Sequence, residues 1–259
     1  MELLRDAARG FGLCLTTEHL QSFQVYYREL SAWNRRFNLT AVTRYEEVQV
    51  KHFLDSLTCL LAFPGSGVAS IASGERLPDV IPLSSKDSSL LCIDVGTGAG
   101  FPGLPLKIMR PALNMILMES SRKKIAFLEH LMQRLHLEGV ESLWARAEEV
   151  GQDAHHRQRY DVVLARAVAD LSVLAEYCLP LCRKGGLFVA QKGEQIDAEL
   201  RDAQAAIDLL GGTLREVKPL HLPGLRETRS LVLIDKVGAT PAQYPRRPGT
   251  PRKRPLMGK

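Results

Sequence analysis

Three glycines alternate in the ten-residue segment DVGTGAGFPG (94–103). Gly96, Gly98 and Gly100 let the backbone turn tightly and approach a ligand without side-chain collision. The same letters contain a match to the pattern G-x-G-x-x-G of dinucleotide-binding proteins. Asp94, however, places a carboxylate before the loop, where it would repel a pyrophosphate and favour the ammonium and sulfonium charges of S-adenosylmethionine. The segment therefore favours S-adenosylmethionine, with a dinucleotide and a purely structural turn as alternatives.

Two acidic residues follow predicted strands, at the same end of the predicted sheet as this loop. Glu119 ends the second strand, 21 residues after Gly98, where a carboxylate can accept hydrogen bonds from ribose hydroxyls. Glu148, preceded by Ala147, follows the third strand and can face an adenine ring. Acidic residues also stabilise a helix start without any ligand. That structural alternative stays open for both, and for Glu148 it is nearly as good.

The surroundings of the fourth strand narrow the choice of methyl acceptor. The N/D-P-P-Y/F/W turn that many enzymes use on exocyclic base amines is absent after the strand. Methylation of pyrimidine C5 needs a cysteine nucleophile, whereas we expect Cys178 and Cys182 to lie within one helix, as small core residues. Guanine N7 already carries an in-plane lone pair. Its methylation therefore needs positioning and electrostatics but no general base.

Arg166, at the end of the fourth strand, fits two roles in such a reaction. It can hold the cofactor, or it can contact guanine O6 or a phosphate; an ion pair with a nearby carboxylate is the structural alternative. On a helix nearer the amino terminus, His52, Asp55 and Ser56 share a face. A nucleophile in mid-helix is poorly presented, so we expect a polar network that braces this helix against the sheet.

The elements that must position these residues alternate between strand and helix from residue 90 onward. Near-continuous apolar strands separated by amphipathic helices predict a doubly wound α/β fold with a parallel sheet. The last two strands follow one another without a helix, which predicts a closing antiparallel hairpin of the methyltransferase type. The predicted strands span 90–96, 114–120, 142–150, 160–168, 185–193, 213–222 and 229–237.

The remainder of the chain divides into three further regions. Apolar residues at three- and four-residue spacing predict helices after Thr16 or Thr17 and after a capping box of Thr43 and Glu46. Serine, glycine and proline make up half of the segment that follows, which predicts an insertion or linker. The predicted regions are a helical module (1–63), the insertion (64–89), the catalytic domain (90–240) and a basic tail (241–259).

The positive charge of the chain is concentrated at its carboxyl end. The formal net charge is +5, and residues 245–259 contain six basic side chains and no acidic one, so the rest of the chain carries −1. Prolines interrupt this tail, and we expect it to be solvated and to bind polyphosphate by replacing counterions. A merely solubilising end is the alternative. The residues predicted to contact RNA are Arg246, Arg247, Arg252, Lys253 and Arg254.

Composition excludes several classes of protein. Hydrophobic residues form 45% and charged residues 24% of the 259 positions, as in globular domains. No apolar run has the length of a membrane-spanning helix, and acidic residues occupy the place of an export signal. We therefore expect a cytoplasmic protein whose five cysteines stay reduced. Their spacing does not predict a metal site.

Several of these segments, taken together, resemble one bacterial family, the glucose-inhibited division protein B family of 16S ribosomal RNA guanine-N7 methyltransferases. The resemblance runs in order from about residue 14 to 256, and the insertion at 64–89 departs from it. The segments that carry it include WNRRFNLTAVT (33–43), KHFLDSL (51–57), DVGTGAGFPGLPL (94–106), ESSRKKIAFLEHL (119–131), ARAEE (145–149), LARAVADL (164–171) and YPRRPGTPRKRPL (244–256).

The resemblance implies S-adenosylmethionine-dependent methylation of guanine N7 in the 530 loop of 16S rRNA, at nucleotide 527 in the usual numbering. It also implies cofactor contacts, which by motif fall on Gly96, Phe101, Ala147, Glu148 and Arg166. The small ribosomal subunit would be the partner.

Two other functions remain open at this stage. A small-molecule methyltransferase would share the cofactor loop but has no use for a basic tail. A non-catalytic RNA-binding or ribosome-assembly protein on the same fold would not bind the cofactor.

Overall fold

The computed structural model describes residues 1–63, 90–166, 169–194 and 196–257. The predicted insertion at 64–89 lies outside the described residues. The proposed boundaries of the domains therefore stay predictions. Within the described residues, no helix is long and apolar enough to cross a membrane.

A seven-stranded sheet organises the part of the chain that is described, in the order β3-β2-β1-β4-β5-β7-β6. Strands β1 to β5 are parallel, and β7 runs antiparallel to both β5 and β6. The strands are β1 (Leu91–Val95), β2 (Asn114–Glu119), β3 (Val140–Trp144), β4 (Tyr160–Arg166), β5 (Cys182–Lys192), β6 (Gly212–Leu220) and β7 (Arg229–Lys236). The predicted doubly wound sheet with a closing hairpin is confirmed.

Helices cover both faces of this sheet. The amino-terminal ones are α1 (Glu2–Arg9), α2 (Thr17–Phe37), α3 (Tyr45–Val48), a π-helical stretch (Gln49–Leu54), α4 (Asp55–Leu57) and a 3₁₀ turn (Thr58–Ala62). The others are α5 (Gly103–Met109), α6 (Arg122–Arg134), α7 (Ala147–Val150), α8 (Leu171–Cys178), α9 (Asp197–Leu209) and α10 (Thr250–Lys253).

The alternation of side chains along each strand divides the core into two clusters of buried residues. Leu164 of β4 faces a cluster that includes α1, α2, α5 and α6, so the helical module packs directly on the sheet. Its neighbours Val163 and Ala165 face the cluster built with α8 and α9. Because both faces are covered, the central strands read as continuous apolar runs.

Several local predictions are corrected by the structure. Thr16 caps α2 as predicted, accepting a hydrogen bond from the His19 backbone. The proposed capping box of Thr43 and Glu46 is wrong, because α3 begins after Arg44 without a side-chain cap. The third predicted strand combines two elements, β3 and α7.

The two neighbouring cysteines do not share a helix. Helix α8 ends at Cys178, and Cys182 begins β5. Both are fully buried, in agreement with the interpretation that they are core residues.

Candidate active site

A cavity of about 530 Å³ lies at the carboxyl ends of the parallel strands. Strand β1 lies between β2 and β4. The chain continues from β1 to β2 and β3 on one side and then crosses back to β4 on the other side. Doubly wound folds bind ligands in the crevice at such a point, where the strand order reverses. Of the predicted cofactor contacts, seven line the cavity: Gly96, Gly98, Phe101, Glu119, Ala147, Glu148 and Arg166. Asp94 and Gly100 are not among the lining residues. Asp94 lies behind the glycine loop, and Gly100 belongs to the loop but packs against Tyr26 and Leu104.

The glycine loop (96–101) is fixed from behind by Asp94. Its Oδ2 accepts hydrogen bonds from Thr97 Oγ1 at 2.6 Å and from the Gly103 backbone N–H at 2.8 Å. Burial raises the pKa of Asp94 to about 6, and these two hydrogen bonds oppose the shift. The prediction that Asp94 faces the ligand is corrected: its carboxylate holds the loop and the first turn of α5.

Gly100 is needed for packing and not for approach to a ligand. A Cβ atom there would lie 2.6 Å from the Tyr26 hydroxyl and 2.5 Å from Leu104 Cδ1. The Tyr26 hydroxyl donates to the Ala99 carbonyl at 2.5 Å. Through this contact α2 of the helical module sets the position of the glycine loop.

Glu119 ends β2 at the wall of the cavity, with only 6% of its surface exposed. Its Oε2 accepts a hydrogen bond from the Gly98 backbone N–H at 3.1 Å, and Oε1 accepts one from Ser121 N–H at 2.9 Å. Lys124 Nζ lies 3.6 Å from Oε2. Ser120 Oγ also donates to Oε1, at 3.4 Å. Together these contacts take the roughly four acceptor positions of a carboxylate, and ribose hydroxyls would have to replace the two longest, from Ser120 and Lys124.

Glu148 forms another part of the wall, in the first turn of α7. It is 6% exposed, and its Oε1 accepts a hydrogen bond from the Gly249 backbone N–H at 2.9 Å. Burial, together with the Glu148 carboxylate, raises the pKa of Tyr177 to about 12. The interpretation of Glu148 as a solvated acid is therefore wrong, because the side chain is buried and bonded.

Phe101 lies between aromatic rings of the helical module. Its ring stacks on Tyr26 at a centroid distance of 5.2 Å and on His52 at 4.5 Å. The Arg166 guanidinium lies 4.9 Å from the Phe101 centroid. These contacts bring the helical module, the glycine loop and β4 together at one end of the cavity.

Arg166 forms an ion pair with a nearby carboxylate, which was the structural alternative to a role in binding. It also lines the cavity. Nη1 lies 3.2 Å from Asp55 Oδ2 and donates to the Lys51 carbonyl, and Nη2 lies 3.3 Å from His52 Nδ1. Asp55 Oδ1 and its carbonyl are contacted by Gln191 Nε2. This is the bracing network predicted for the helix that carries His52 and Asp55.

The protonation state of His52 follows from its partners. Burial, and then the positive charge of Arg166, lower the pKa of His52 to about 3. An arginine can only donate, so Nδ1 accepts and the proton of the neutral ring is on Nε2. Nε2 then donates to Thr40 Oγ1 at 2.8 Å. Thr40 is itself fixed by Asn34, whose side chain bonds both its N–H and its carbonyl.

The C-terminal segment (240–257) closes the cavity beside Glu148, where a solvated tail was predicted. Gly249 and Arg252 line the cavity. Arg157 holds the segment by donating to the carbonyls of Thr240, Pro241 and Tyr244. Although prolines interrupt this segment, it contains the four-residue helix α10, with Pro251 in the first turn, where its missing N–H is not needed.

The basic residues of this segment divide into two groups. Arg246 forms a bidentate ion pair with Glu176, whose side chain is fully buried. Its predicted contact with RNA is corrected, because the guanidinium is already occupied by this carboxylate. Arg247, Lys253 and Arg254 are exposed, so these remain candidates for RNA contact.

The side chains that line the cavity discriminate between S-adenosylmethionine and a dinucleotide, the two cofactors considered from the sequence. A dinucleotide would place its pyrophosphate at the start of the helix after β1. That position is taken by the Asp94 carboxylate, which accepts from the first residue of α5. Glu119 and Glu148 add two further buried carboxylates. The residues therefore fit a nucleoside with a cationic side chain and do not fit a pyrophosphate.

Comparison with known proteins decides the family. The chain matches the family model described as rRNA small subunit methyltransferase G over residues 19–88 and 79–232. Two proteins named ribosomal RNA small subunit methyltransferase G, from Pelotomaculum thermopropionicum and Roseiflexus sp. strain RS-1, are each 48% identical to it. The alignments cover 98% of both chains in the first case, and 99% and 100% in the second. This chain belongs to the rRNA small subunit methyltransferase G family.

Membership in the rRNA small subunit methyltransferase G family confirms the resemblance found in the sequence and the prediction that the chain is a methyltransferase. The alternative of a non-catalytic assembly protein is set aside. Among solved structures, a precorrin-6y C5,15-methyltransferase from Geobacter metallireducens is similar with a TM-score of 0.44 and 14% identity, over 57% of this chain and 80% of that one. Similarity at that level adds nothing to the assignment.

Sequence reasoning missed several residues that line the cavity. Thr40 and His52 come from the helical module, and Tyr177, Gly249 and Arg252 come from the far side of the sheet and the C-terminal segment. No local pattern marks them, because each is brought to the cavity by tertiary packing. The signals for Thr40, His52, Gly249 and Arg252 were the resemblance segments WNRRFNLTAVT, KHFLDSL and YPRRPGTPRKRPL, and His52 and Arg252 had been predicted in other roles.

Proposed function

We propose that this chain transfers a methyl group from S-adenosylmethionine to N7 of a guanine in the 530 loop of 16S rRNA, at nucleotide 527. When bound, S-adenosylmethionine supplies the methyl group on a sulfonium, from which the N7 lone pair displaces the neutral thioether in line. The reaction leaves the guanine with a positive charge and releases no proton from N7.

The observation that carries this proposal is the group of side chains at the Phe101 end of the cavity, in a chain of this family. His52 is neutral, is a weak base with a pKa of about 3, and has its Nδ1 lone pair engaged by Arg166. Asp55 is paired with the same arginine. A group of this kind can orient a base but is poorly suited to remove a proton, which matches the chemistry of N7.

The charge balance at this end of the cavity also suits the reaction. The charge of Arg166, taken alone, would oppose the positive charge that develops on the methylated guanine. Asp55 compensates the charge of Arg166 at a distance of 3.2 Å. Arg166 can then position the base through hydrogen bonds at little electrostatic cost. We assign it a positioning role.

The cysteines support direct transfer without a covalent enzyme intermediate. Burial raises the pKa of Cys178 well above its usual range and that of Cys182 to about 12. Both remain thiols at neutral pH and are therefore poor nucleophiles. We expect proteins with Cys178→Ala or Cys182→Ala to keep their activity, and a complete loss in a folded variant would contradict direct transfer.

The substrate follows from the same proposal. A methyltransferase of this kind acts in the cytoplasm on the rRNA of the small ribosomal subunit, with the exposed cations of the C-terminal segment as one contact surface. A small-molecule methyltransferase would not need that surface. Charge removal there would leave small-molecule methylation unchanged but weaken methylation of rRNA in a salt-dependent manner.

The deciding experiment maps the modified nucleotide. Small subunits from a strain that lacks this protein are incubated with the purified enzyme and S-adenosylmethionine, and N7-methylguanine is located by chain cleavage at the modified base. We expect methylation at one guanine in the 530 loop. Arg166→Ala should lower the rate about 100-fold without unfolding, whereas Lys184→Ala, an exposed control at the start of β5, should not. Methylation of another nucleotide would contradict the proposal.

A further inference from the structure

A second cavity, of about 270 Å³, adjoins the first. His52 and Arg166 line both cavities, which therefore meet at these two side chains. The second cavity lies one strand farther along the carboxyl edge of the sheet, where Gln191 and Lys192 end β5 and Arg229 begins β7. The pairing of Lys192 with Ser230 brings Arg229 beside the end of β5.

The orientation of the Gln191 amide is fixed by its neighbour. Gln191 is 5% exposed, and its Nε2 donates to the Asp55 carbonyl at 2.6 Å. A carbonyl can only accept, so the amide cannot be reversed. Its Oε1 is buried and has no hydrogen-bond partner. An unmade hydrogen bond of this kind is unfavourable, and a ligand with an N–H group would supply it.

Arg229 presents the complementary group. Its Nε is also buried without a hydrogen-bond partner, and its side chain lines the same cavity. Burial raises the pKa of Asp55, and the positive charges of Arg166 and Arg229 oppose that shift. Asp55, Arg166 and Arg229 line the same cavity. The cavity thus combines an unsatisfied acceptor with an unsatisfied donor.

The remaining basic side chains of the cavity are already matched by acids. Lys51 pairs with Glu47 at 2.8 Å, and Lys192 pairs with Glu199. Together with the unpartnered Gln191 oxygen, these pairs disfavour a phosphate as the occupant. A neutral group that carries an N–H beside a carbonyl fits better, and the lactam edge of guanine, N1–H and O6, is such a group.

We infer that the second cavity is the subsite for the target guanine, with Gln191 Oε1 accepting from N1–H and Arg229 donating to O6. The inference rests on the proposed function, which it makes specific. Arg166 and Arg229 can only donate, so the group beside N7 must be an acceptor. Guanine offers O6 there, whereas adenine offers an amino group. A base held by this edge has N7 toward Arg166 and His52, where the second cavity meets the cofactor cavity.

The test compares guanine with 2-aminopurine at the target nucleotide of reconstituted small subunits, because 2-aminopurine keeps N7 but lacks O6 and N1–H. We expect the unmodified enzyme to methylate the guanine subunits at least about tenfold faster. Arg229→Met should lose about tenfold on guanine and discriminate less than about threefold between the bases. Arg226→Met, an exposed arginine of the preceding loop, is the matched control and should behave as the unmodified enzyme.

Four further results decide the inference. The affinity for S-adenosylmethionine, measured by calorimetry, should be unchanged in Arg229→Met, and Gln191→Met should show the same loss of discrimination if it folds. If Arg229→Met is slow but still prefers guanine, the arginine contacts a phosphate and the base subsite is wrong. If unmodified enzyme fails to methylate guanine subunits at all, the proposed function itself fails.

Discussion

Two segments that line the same cavity, the glycine loop (96–101) and the C-terminal segment (240–257), are held by different kinds of contact. The glycine loop is held partly by Asp94, whose partners Thr97 and Gly103 lie within ten positions of it, and partly by the more distant Glu119 and Tyr26. The C-terminal segment is held by Glu176 and Arg157, more than 60 positions away in the chain. Local contacts leave a pattern in the sequence, and distant contacts do not.

This difference explains why the sequence predicts the position of the glycine loop at a strand end but does not predict how the C-terminal segment packs. The six basic residues at the end of the chain are typical of a solvated tail. In the structure these basic residues have two kinds of environment. Arg246 neutralises the buried Glu176 carboxylate, whereas Arg247, Lys253 and Arg254 are exposed. Charge composition predicts the presence of cations but not their partners.

The largest effect is expected from breaking the distant contact. Arg246→Met would leave the Glu176 carboxylate, which is fully buried, without its partner. Loss of one member of a buried pair typically costs about 3–5 kcal/mol. We expect a loss of stability of that size in urea unfolding at pH 7.5, with weaker binding of S-adenosylmethionine because Gly249 and Arg252 are released.

Arg247→Met is the matched control for this change. Arg247 is the exposed neighbour of Arg246, and its replacement should alter the free energy of unfolding by less than about 0.5 kcal/mol. Equal effects of the two substitutions would show that the segment is a solvated tail, as the sequence had suggested.

The next effect concerns the local contact and depends on pH. The folded pKa of Asp94 is about 6, above its ordinary value of 3.8, so the folded state binds the proton more tightly than the unfolded state. Stability from this group is therefore fully present below about pH 4 and is lost as the pH rises through 6, by on the order of 3 kcal/mol. Above about pH 7 the contribution is constant.

Urea unfolding of the unmodified protein and of Asp94→Asn between pH 4 and 7.5 isolates this contribution. The difference between their free energies of unfolding should shift in favour of the asparagine variant as the pH increases. Parallel curves would mean that Asp94 titrates normally and that the loop is not held by a buried carboxylate.

A smaller effect is expected at a glycine that lines the cavity. Gly98 has a φ of +63°, a conformation that costs a β-branched residue about 1–2 kcal/mol. In Gly98→Val we expect at least a tenfold loss of S-adenosylmethionine affinity by calorimetry. Gly224→Val is the control, because Gly224 has a φ of +76° with no neighbour within 4 Å of a new Cβ atom and does not line the cavity. Similar losses in both variants would assign the effect to strain alone.

The sequence was sufficient to predict the fold and to predict the site residues that lie at the carboxyl ends of strands. Strand periodicity predicts the sheet, and the positions of Gly98 and Glu119 at the ends of β1 and β2 follow from it. The role of Asp94 was misread because its direction depends on α5 folding against the loop. His52 could be placed on a bracing helix face, but not beside Phe101, since that contact needs the packing of the helical module.

The smallest effect belongs to the exposed cations of the C-terminal segment. A double change of Lys253 and Arg254 to glutamine removes two charges but keeps the Arg254 carbonyl, to which Arg246 donates. The fold and the cofactor cavity should therefore be unaffected. If each side chain contacts a phosphate, the slope of log affinity for rRNA against log salt decreases by at most about two, and binding weakens about threefold near physiological salt. The same measurement on Lys184→Gln provides the baseline, because Lys184 lies at the amino-terminal end of β5, at the opposite end of the strand from the cavities. An unchanged slope in the double variant would mean that the C-terminal segment serves the cofactor cavity alone, and its positive charge would then need an explanation other than RNA.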